Sequence, residues 1–397
     1  MNSAEIGVLI VDDSALMRNL ISRIVENTPG LSVVGKAMNG QFALEKIPSC
    51  QPDVIVLDIE MPVMTGLEFL KERKKRGIDI PVIMLSSLTT EGAAVTMQCL
   101  ELGASDFLTK PGGSVSGDLS AVAARLVELL SSYGGQYARL KKNKYIPVYK
   151  HFVDPAALSA VARSGSFTAQ PVSEAVPEPS AAFQTPIEVP QHKQPAVVQP
   201  LRESGRIEVI AIGISTGGPN ALREVFRAID PGLCQPVLVV QHMPAGFTEE
   251  FANSLNHICP LEVKEAHDGD LLKPGRILIA PGNYHMFVEH KSLAQVVRLS
   301  DAEQRNGHRP SVDVLFESVA AVYQNRALGV IMTGMGRDGA AQLAEMRRQG
   351  ARTLGQDEKT SVVYGMPKVA WELGGVQKQV PLQDMAGEIS TLAKEYC

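Results

Sequence analysis

The chain has 397 residues, of which 45% are hydrophobic and 20% charged, and a net charge of −5. That length exceeds one ordinary core and predicts about two or three domains, and the balance is globular with no basic surplus for a nucleic-acid partner. Five cysteines (Cys50, Cys99, Cys234, Cys259, Cys397) are scattered without a CxxC pair, which speaks against a disulfide framework or a zinc site and for a reducing cytosol.

The opening MNSAEIGVLIVDD has no basic n-region and no cleavage site. No apolar run approaches the roughly 20 residues needed to span a bilayer, so the expectation is an unprocessed cytoplasmic protein without membrane insertion. From residue 5 to about 128, the apolar runs GVLIVDD, DVIVLDIE, PVIMLSS and DFLTKP alternate with helical stretches. In SALMRNLISRIVEN, Leu16, Leu20 and Ile24 fall at i, i+4 and i+8. This rhythm predicts a parallel α/β sheet. RLKKNKYIPVYK then carries five bases and no acid, the pattern of a solvated helix end or of a docking patch. Seven prolines follow between 171 and 200, in a composition that builds no packed core. From 206 onward EVIAIGIS, PVLVVQHM, RILIAPG and ALGVIMTG predict a second, doubly wound α/β domain. The expected division is 1–128, a linker including a helix end over 129–204, and 205–397.

Three acids stand at predicted strand ends: Asp12 and Asp13 after the first run, and Asp58 in VLDIEMP. Ligands of open α/β sheets bind at the carboxyl ends of strands, so these carboxylates should converge. Clustered carboxylates repel unless a cation joins them, and a hard oxygen site suits Mg²⁺ bridging to a phosphoryl group. An aspartate can itself become an acyl phosphate. Lys110 in DFLTKP is placed to counter the phosphoryl charge and Ser86 in MLSS to sense it.

VDDSALMR, VLDIEMPVMTGLEFL, MLSS and LTKP together resemble the receiver domain of bacterial response regulators, a flavodoxin-like fold. The resemblance implies phosphorylation at Asp58 by a histidine kinase, with Mg²⁺ on Asp12, Asp13 and Asp58 and on the Glu60 carbonyl. It also implies that Ser86 and Lys110 act as switch residues. A phosphoryl group adds a charge of about −1.5 to −2, enough to bias a two-state surface.

In the second domain Gly213-Ile-Ser215-Thr-Gly217 fits GxSxG, a sharp strand-to-helix turn that exposes a nucleophilic hydroxyl. Two other readings compete. A dinucleotide loop wants glycine where Ser215 stands and an acid after the next strand, which instead ends at His242. A tight turn with an incidental serine is the second. Serine needs a base held by a carboxylate. His242 follows PVLVVQ and Asp338 lies in TGMGRDGAA after another strand, with His285 in APGNYHM as the rival base. The order Ser, His, Asp differs from that of α/β-hydrolases. Backbone N–H groups of Thr216, Gly217 and Met335 are candidate oxyanion donors, although methionine also commonly fills core gaps.

GISTGGP, VVQHMP, APGNYHM, HRPSVDVLF, TGMGRDGA and QDEKTSVVYGMPK together resemble the catalytic domain of the CheB chemotaxis methylesterase family. The resemblance implies hydrolysis of γ-methyl esters on glutamates of chemoreceptors, with deamidation of receptor glutamines, and no cofactor for the ester reaction. Ser215 is then nucleophile, His242 base and acid, and Asp338 its orienter. The family picture has the unphosphorylated receiver covering the active site. The proline-rich linker is longer than the family needs. Two other functions remain open on sequence: a receiver-borne adaptor without chemistry, and a serine hydrolase for another acyl substrate.

Overall fold

The computed structural model describes residues 5–110, 116–142, 195–292 and 294–395. The proline-rich stretch before 195, and the basic run beyond Lys142, lie outside the described residues. In the first domain β1 (Ile6–Val11), β2 (Leu31–Ala37), β3 (Val54–Asp58), β4 (Val82–Ser86) and β5 (Asp106–Thr109) form one sheet in the order β2-β1-β3-β4-β5. All its pairings are parallel. The buried runs named from the sequence are β1, β3, β4 and β5. The edge strand β2 escaped notice because it is buried on little more than its ends and carries no continuous apolar run.

Between the strands run α1 (Ala15–Glu26), α2 (Gly40–Cys50), α3 (Gly66–Lys75), α4 (Thr90–Glu101) and α5 (Ser116–Leu129). Local chemistry sets their starts: Ser14 caps α1 by accepting from Met17 N–H, and Thr65 with Glu68 makes a reciprocal capping box on α3. The face α1 buries is Ile21, Ser22 and Val25, whereas Leu16 is 81% exposed beside the acidic strand ends. The i, i+4, i+8 stripe read from Leu16 is therefore rotated off the sheet.

A domain edge at residue 128 falls inside a packed helix. The chain continues through a π-turn (Leu130–Gly134) into α6 (Gly135–Lys142). Leu126, Leu129, Leu130 and Tyr133 stay on one side and fill the core against β1 and β3. A Cβ at Gly134 would stand 2.5 Å from Ile6 Cγ2, so only glycine permits this approach. Lys141 then ties α6 to Asp53 at 3.2 Å.

The second domain holds β6 (Val209–Ile214), β7 (Val237–Gln241), β8 (Glu262–Glu265) and β9 (Arg276–Ile279), then the hairpin β10 (His285–Lys291) and β11 (Ala294–Ser300), and finally β12 (Ala327–Ile331), β13 (Arg352–Gln356) and β14 (Lys378–Val380). Seven of these form a parallel sheet in the order β14-β13-β12-β6-β7-β9-β8. Its helices are α7 (Gly218–Ala228), α8 (Phe247–Asn256), α9 (Val312–Tyr323), α10 (Ala340–Arg348), α11 (Met366–Glu372) and α12 (Leu382–Glu395). The chain joins this body before residue 205: Ala196 N–H donates to Glu372 O at 3.0 Å and Leu201 N–H to Arg348 O at 2.8 Å. Strand order reverses between β6 and β12, and such a switch point opens a crevice at the strands' carboxyl ends.

The receiver-like body lies against that crevice through α4, β5 and α5. Phe107 stacks on Phe247 with ring centroids 4.9 Å apart. Asn220 donates to the Ala104 and Ser105 carbonyls, both at 3.0 Å, and Arg223 pairs with Glu101 at 3.0 Å. Among the described residues no helix is long and apolar enough to cross a membrane.

Candidate active site

Ser215 follows β6 directly, His242 follows β7, and Asp338 lies in the loop after β12, so the three converge at the switch point. His242 Nδ1 is 3.1 Å from Ser215 Oγ, and His242 Nε2 is 2.8 Å from Asp338 Oδ2. The carboxylate can only accept, so Nε2 carries the proton and Nδ1 offers its lone pair to the serine. The two ring nitrogens exchange the places they hold in the serine-protease triad, and the chemistry requires only an acceptor toward serine and a donor toward the carboxylate. All three side chains are buried or nearly so.

Asp338 is held from the other side by several donors. Its oxygens accept from Ser311 Oγ at 2.7 Å, Val312 N–H at 2.6 Å, Asp313 N–H at 3.2 Å and Asn306 Nδ2 at 2.8 Å. Burial alone would raise this carboxyl, but the hydrogen bond and charge of His242, with Asn306 and Ser311, hold it well below the ordinary value. These residues lie in and beside HRPSVDVLF, whose α9 N-terminus supplies the backbone donors. Sequence reading marked that stretch without giving its members a role.

The rival base, His285, has both nitrogens committed: Nε2 lies 2.9 Å from Glu303 O, and Nδ1 accepts from Ser311 N–H at 3.2 Å. It braces the segment that carries Ser311. A histidine the sequence reading passed over stands in the site instead. His308 stacks on His242, with ring centroids 3.7 Å apart and planes 12° off parallel. Burial, reinforced by His242, pushes it down to about 4, so it is neutral at physiological pH.

Gly217 takes φ +77°, and a Cβ there would meet Val362 at 2.7 Å, so glycine is required at this turn. Gly334 lies so close that a Cβ would sit 2.8 Å from Ser215 Cβ. Of the candidate oxyanion donors, Thr216 and Met335 give their backbone N–H groups to no acceptor among the described residues. Gly217 N–H is committed to the receiver carboxylate Asp106 at 3.0 Å. Met335 is 53% exposed, which removes it from the core. Two more receiver side chains reach the same turn: Arg125 donates to Thr216 Oγ1, and that hydroxyl donates to Glu128. Asp106, Arg125 and Glu128 carried no signal in sequence, because their significance depends on the docking of one domain on the other.

In the first domain Asp12, Asp13 and Asp58 bring carboxylate oxygens within 4.8 Å of one another. Lys110 Nζ stands 2.7 Å from Asp58 Oδ1 and 3.6 Å from Asp12 Oδ2. Burial raises Asp58 to about 6 against the pull of Lys110, and burial also raises Asp12. Asp12 Oδ2 is buried and, beyond the 3.6 Å approach of Lys110, has no hydrogen-bond partner among the described residues. An orphaned acceptor among three acids fits a divalent cation such as Mg²⁺. The Glu60 side chain is exposed and outside this cluster, which leaves its carbonyl as the group named from sequence. Ser86 ends β4 with its hydroxyl accepting from Thr96 Oγ1 of α4 at 2.6 Å.

Comparison with known proteins accounts for both halves. A CheB methylesterase profile matches residues 210–389, and a response regulator receiver domain profile matches residues 8–116. A protein-glutamate methylesterase/protein-glutamine glutaminase of Treponema denticola is 56% identical over 99% of this chain and 99% of its own. That of Treponema pallidum is 54% identical over 100% of this chain and 99% of its own. A solved catalytic domain of the Thermotoga maritima CheB methylesterase is 35% identical, covering 48% of this chain and 99% of that one with a TM-score of 0.46. Matched end to end by such relatives, with a receiver in front and a parallel α/β catalytic domain behind, the chain belongs to the CheB family of protein-glutamate methylesterase/protein-glutamine glutaminases.

Proposed function

We propose that Ser215, His242 and Asp338 carry out the esterase and glutaminase chemistry, and that phosphorylation of Asp58 controls it. The observation that carries the reading is the continuous hydrogen-bonded chain from Ser215 Oγ through His242 to Asp338 at the switch point of the sheet. The substrates are γ-methyl esters and amides of chemoreceptor glutamyl and glutaminyl side chains, and the phosphodonor is a chemotaxis histidine kinase.

Ser215 Oγ attacks the ester carbonyl carbon while its proton passes to His242 Nδ1. Asp338 stabilises the imidazolium through Nε2–H and keeps the ring in register. The backbone N–H groups of Thr216 and Met335, which have no acceptor among the described residues, are the donors for the tetrahedral oxygen. Collapse breaks the bond to the methoxy oxygen, which takes the proton from His242 and leaves as methanol. Water then attacks the acyl-enzyme, giving its proton to His242, and the glutamate carboxylate departs as Ser215 regains its hydrogen. With an amide the same steps release ammonia.

In the receiver, Asp12, Asp13 and Asp58 would hold Mg²⁺, which when bound neutralises the phosphoryl oxygens during transfer. Lys110 pairs with Asp58 and ends the segment that begins at Asp106 in β5, so a rearrangement at the phosphoryl site is linked through one strand to the carboxylate on Gly217 N–H. This supports a resting state in which the receiver occupies the nucleophile turn and a phosphorylated state in which it lets go. The test is methanol release from methylated receptor membranes by wild type and Ser215→Ala, each with and without a small-molecule phosphodonor and Mg²⁺. Donor-stimulated release that disappears in the variant supports the reading; release by Ser215→Ala at the wild-type rate rejects it.

A further inference from the structure

Gln241 is the last residue of β7, immediately before His242, and its side chain is 2% exposed. Its amide spends both hydrogens on the two halves of the reacting pair. Nε2 donates to Ser215 O at 3.0 Å and to His242 O at 3.1 Å. Ser215 O also accepts from Gly218 N–H at 2.8 Å, whereas His242 O has no other donor among the described residues. The amide oxygen is buried without a hydrogen-bond partner among the described residues and presses on the start of α7, where a Cβ at Gly218 would stand 1.9 Å from it.

That orphaned oxygen argues against a role in stability. A buried unpaired acceptor is a cost, and a branched apolar side chain of similar volume would fill the space without it. What only an amide supplies here is a planar NH₂ group with two hydrogens fixed at about 120°, aimed at two carbonyls on adjacent strand ends. β6 and β7 pair in register from Ile210–Val237 to Ile214–Gln241, and the ladder closes with a long His242 N–H to Ile214 O bond of 3.3 Å. Beyond that bond the nucleophile and the base leave the sheet on separate loops, and the Gln241 amide bridges them. On the other flank Thr333 does the same for the nucleophile alone. Its carbonyl accepts from Ser215 N–H at 2.9 Å and its hydroxyl donates to Thr216 O at 2.9 Å.

We infer that Gln241 is a positioning residue that fixes the separation of Ser215 and His242 by holding both their carbonyls with one amide group. The inference rests on the Ser215–His242–Asp338 mechanism proposed above. Reactive geometry tolerates little slack, since a misplacement of about 1 Å can cost on the order of 10²-fold in rate.

The experiment uses the full chain activated by phosphodonor and Mg²⁺, measuring methanol release from methylated receptor membranes across pH 6 to 8, with thermal unfolding in parallel. Gln241→Leu is expected to lower kcat of the folded enzyme by about 10- to 100-fold with KM unchanged; it removes the unpaired amide oxygen but also the donor to the His242 carbonyl, so Tm should move little. Gln241→Glu places a carboxylate against two carbonyls. Burial raises its titration, and protonation restores one donor, so its rate relative to wild type climbs as pH falls. A merely structural residue would instead lose Tm and leave that ratio flat. Both variants within twofold of wild type at every pH, while Ser215→Ala is inactive, would overturn the strap and leave the mechanism standing. Activity lost only in proportion to folded protein, with a flat pH ratio, would overturn it too. A fully active Ser215→Ala would remove the mechanism on which the strap rests.

Discussion

The backbone N–H of Gly217 donates to Asp106 Oδ2 across 3.0 Å, so the peptide two residues past the nucleophile is held by a carboxylate from the other domain. That carboxylate is fully buried, and burial raises its titration against the attraction of Arg125 and the bonds from Gly217 and Phe107. It begins the strand that leads to Lys110, on the order of 13 Å away at an extended rise per residue. The nucleophile turn and the phosphoryl pocket are thus the two ends of one short strand.

Asp106→Ala should weaken the hold of the receiver on this turn. Methanol release without phosphodonor is expected to rise several-fold, and the stimulation by donor to shrink. An unchanged ratio of donor-stimulated to basal rate, in a folded variant, would show that this contact is not what restrains the enzyme.

Asp338→Asn keeps the shape of the side chain but removes the charge that orients His242. By analogy with the aspartate of serine proteases, kcat is expected to fall by about 10⁴-fold. The asparagine oxygen in the place of Oδ1 can still accept from Ser311 Oγ, Asn306 Nδ2 and Asp313 N–H, so thermal unfolding should show a folded domain, while the NH₂ in the place of Oδ2 no longer accepts from His242. A loss of less than tenfold would deny Asp338 its role.

Removal of Mg²⁺ by a chelator should abolish the phosphodonor effect and leave the basal esterase rate as it was, because the acids lie at Asp12, Asp13 and Asp58 and not at Ser215. Asp58→Asn should give the same phenotype with metal present. Phosphate incorporation followed on a gel, beside methanol release, separates the two steps. A basal rate that falls with chelation would mean the esterase site itself uses a cation.

Acid stability should depend on His308. Its folded value lies near 4 against 6.5 for the free side chain. As pH falls below about 6.5 the unfolded chain takes up the proton first, so the stabilisation is complete above that pH and is lost progressively toward 4. Asp338, held below 3.8, adds a contribution present above that value and lost at still lower pH. The Tm of wild type should therefore drop more steeply between pH 7 and 4.5 than that of His308→Phe, which stacks but does not titrate. Parallel Tm curves for the two proteins would contradict the assignment.

Much of this molecule is legible in the order of its residues. Buried strands of a parallel sheet are continuous apolar runs, so β1, β3, β4, β5, β6, β7, β9 and β12 declare themselves, and the groups at their ends inherit a common edge. That is why Asp12, Asp13, Asp58, Lys110, Ser215, His242 and Asp338 could be named before any contact was known. The half-exposed β2, the rotated face of α1 and the continuation of the receiver helix to Lys142 could not, because they depend on which neighbour covers a surface. The same holds for the choice between His242 and His285: both follow or open strands, and only packing commits the second to Glu303 and Ser311. The stacked His308, the Gln241 amide between two loops and the Asp106 carboxylate on Gly217 N–H are the work of tertiary structure alone. Periodicity and motif spacing report what a residue does to its own segment, whereas these groups act across distances in sequence of up to 111 residues, where only the folded chain brings donor and acceptor together.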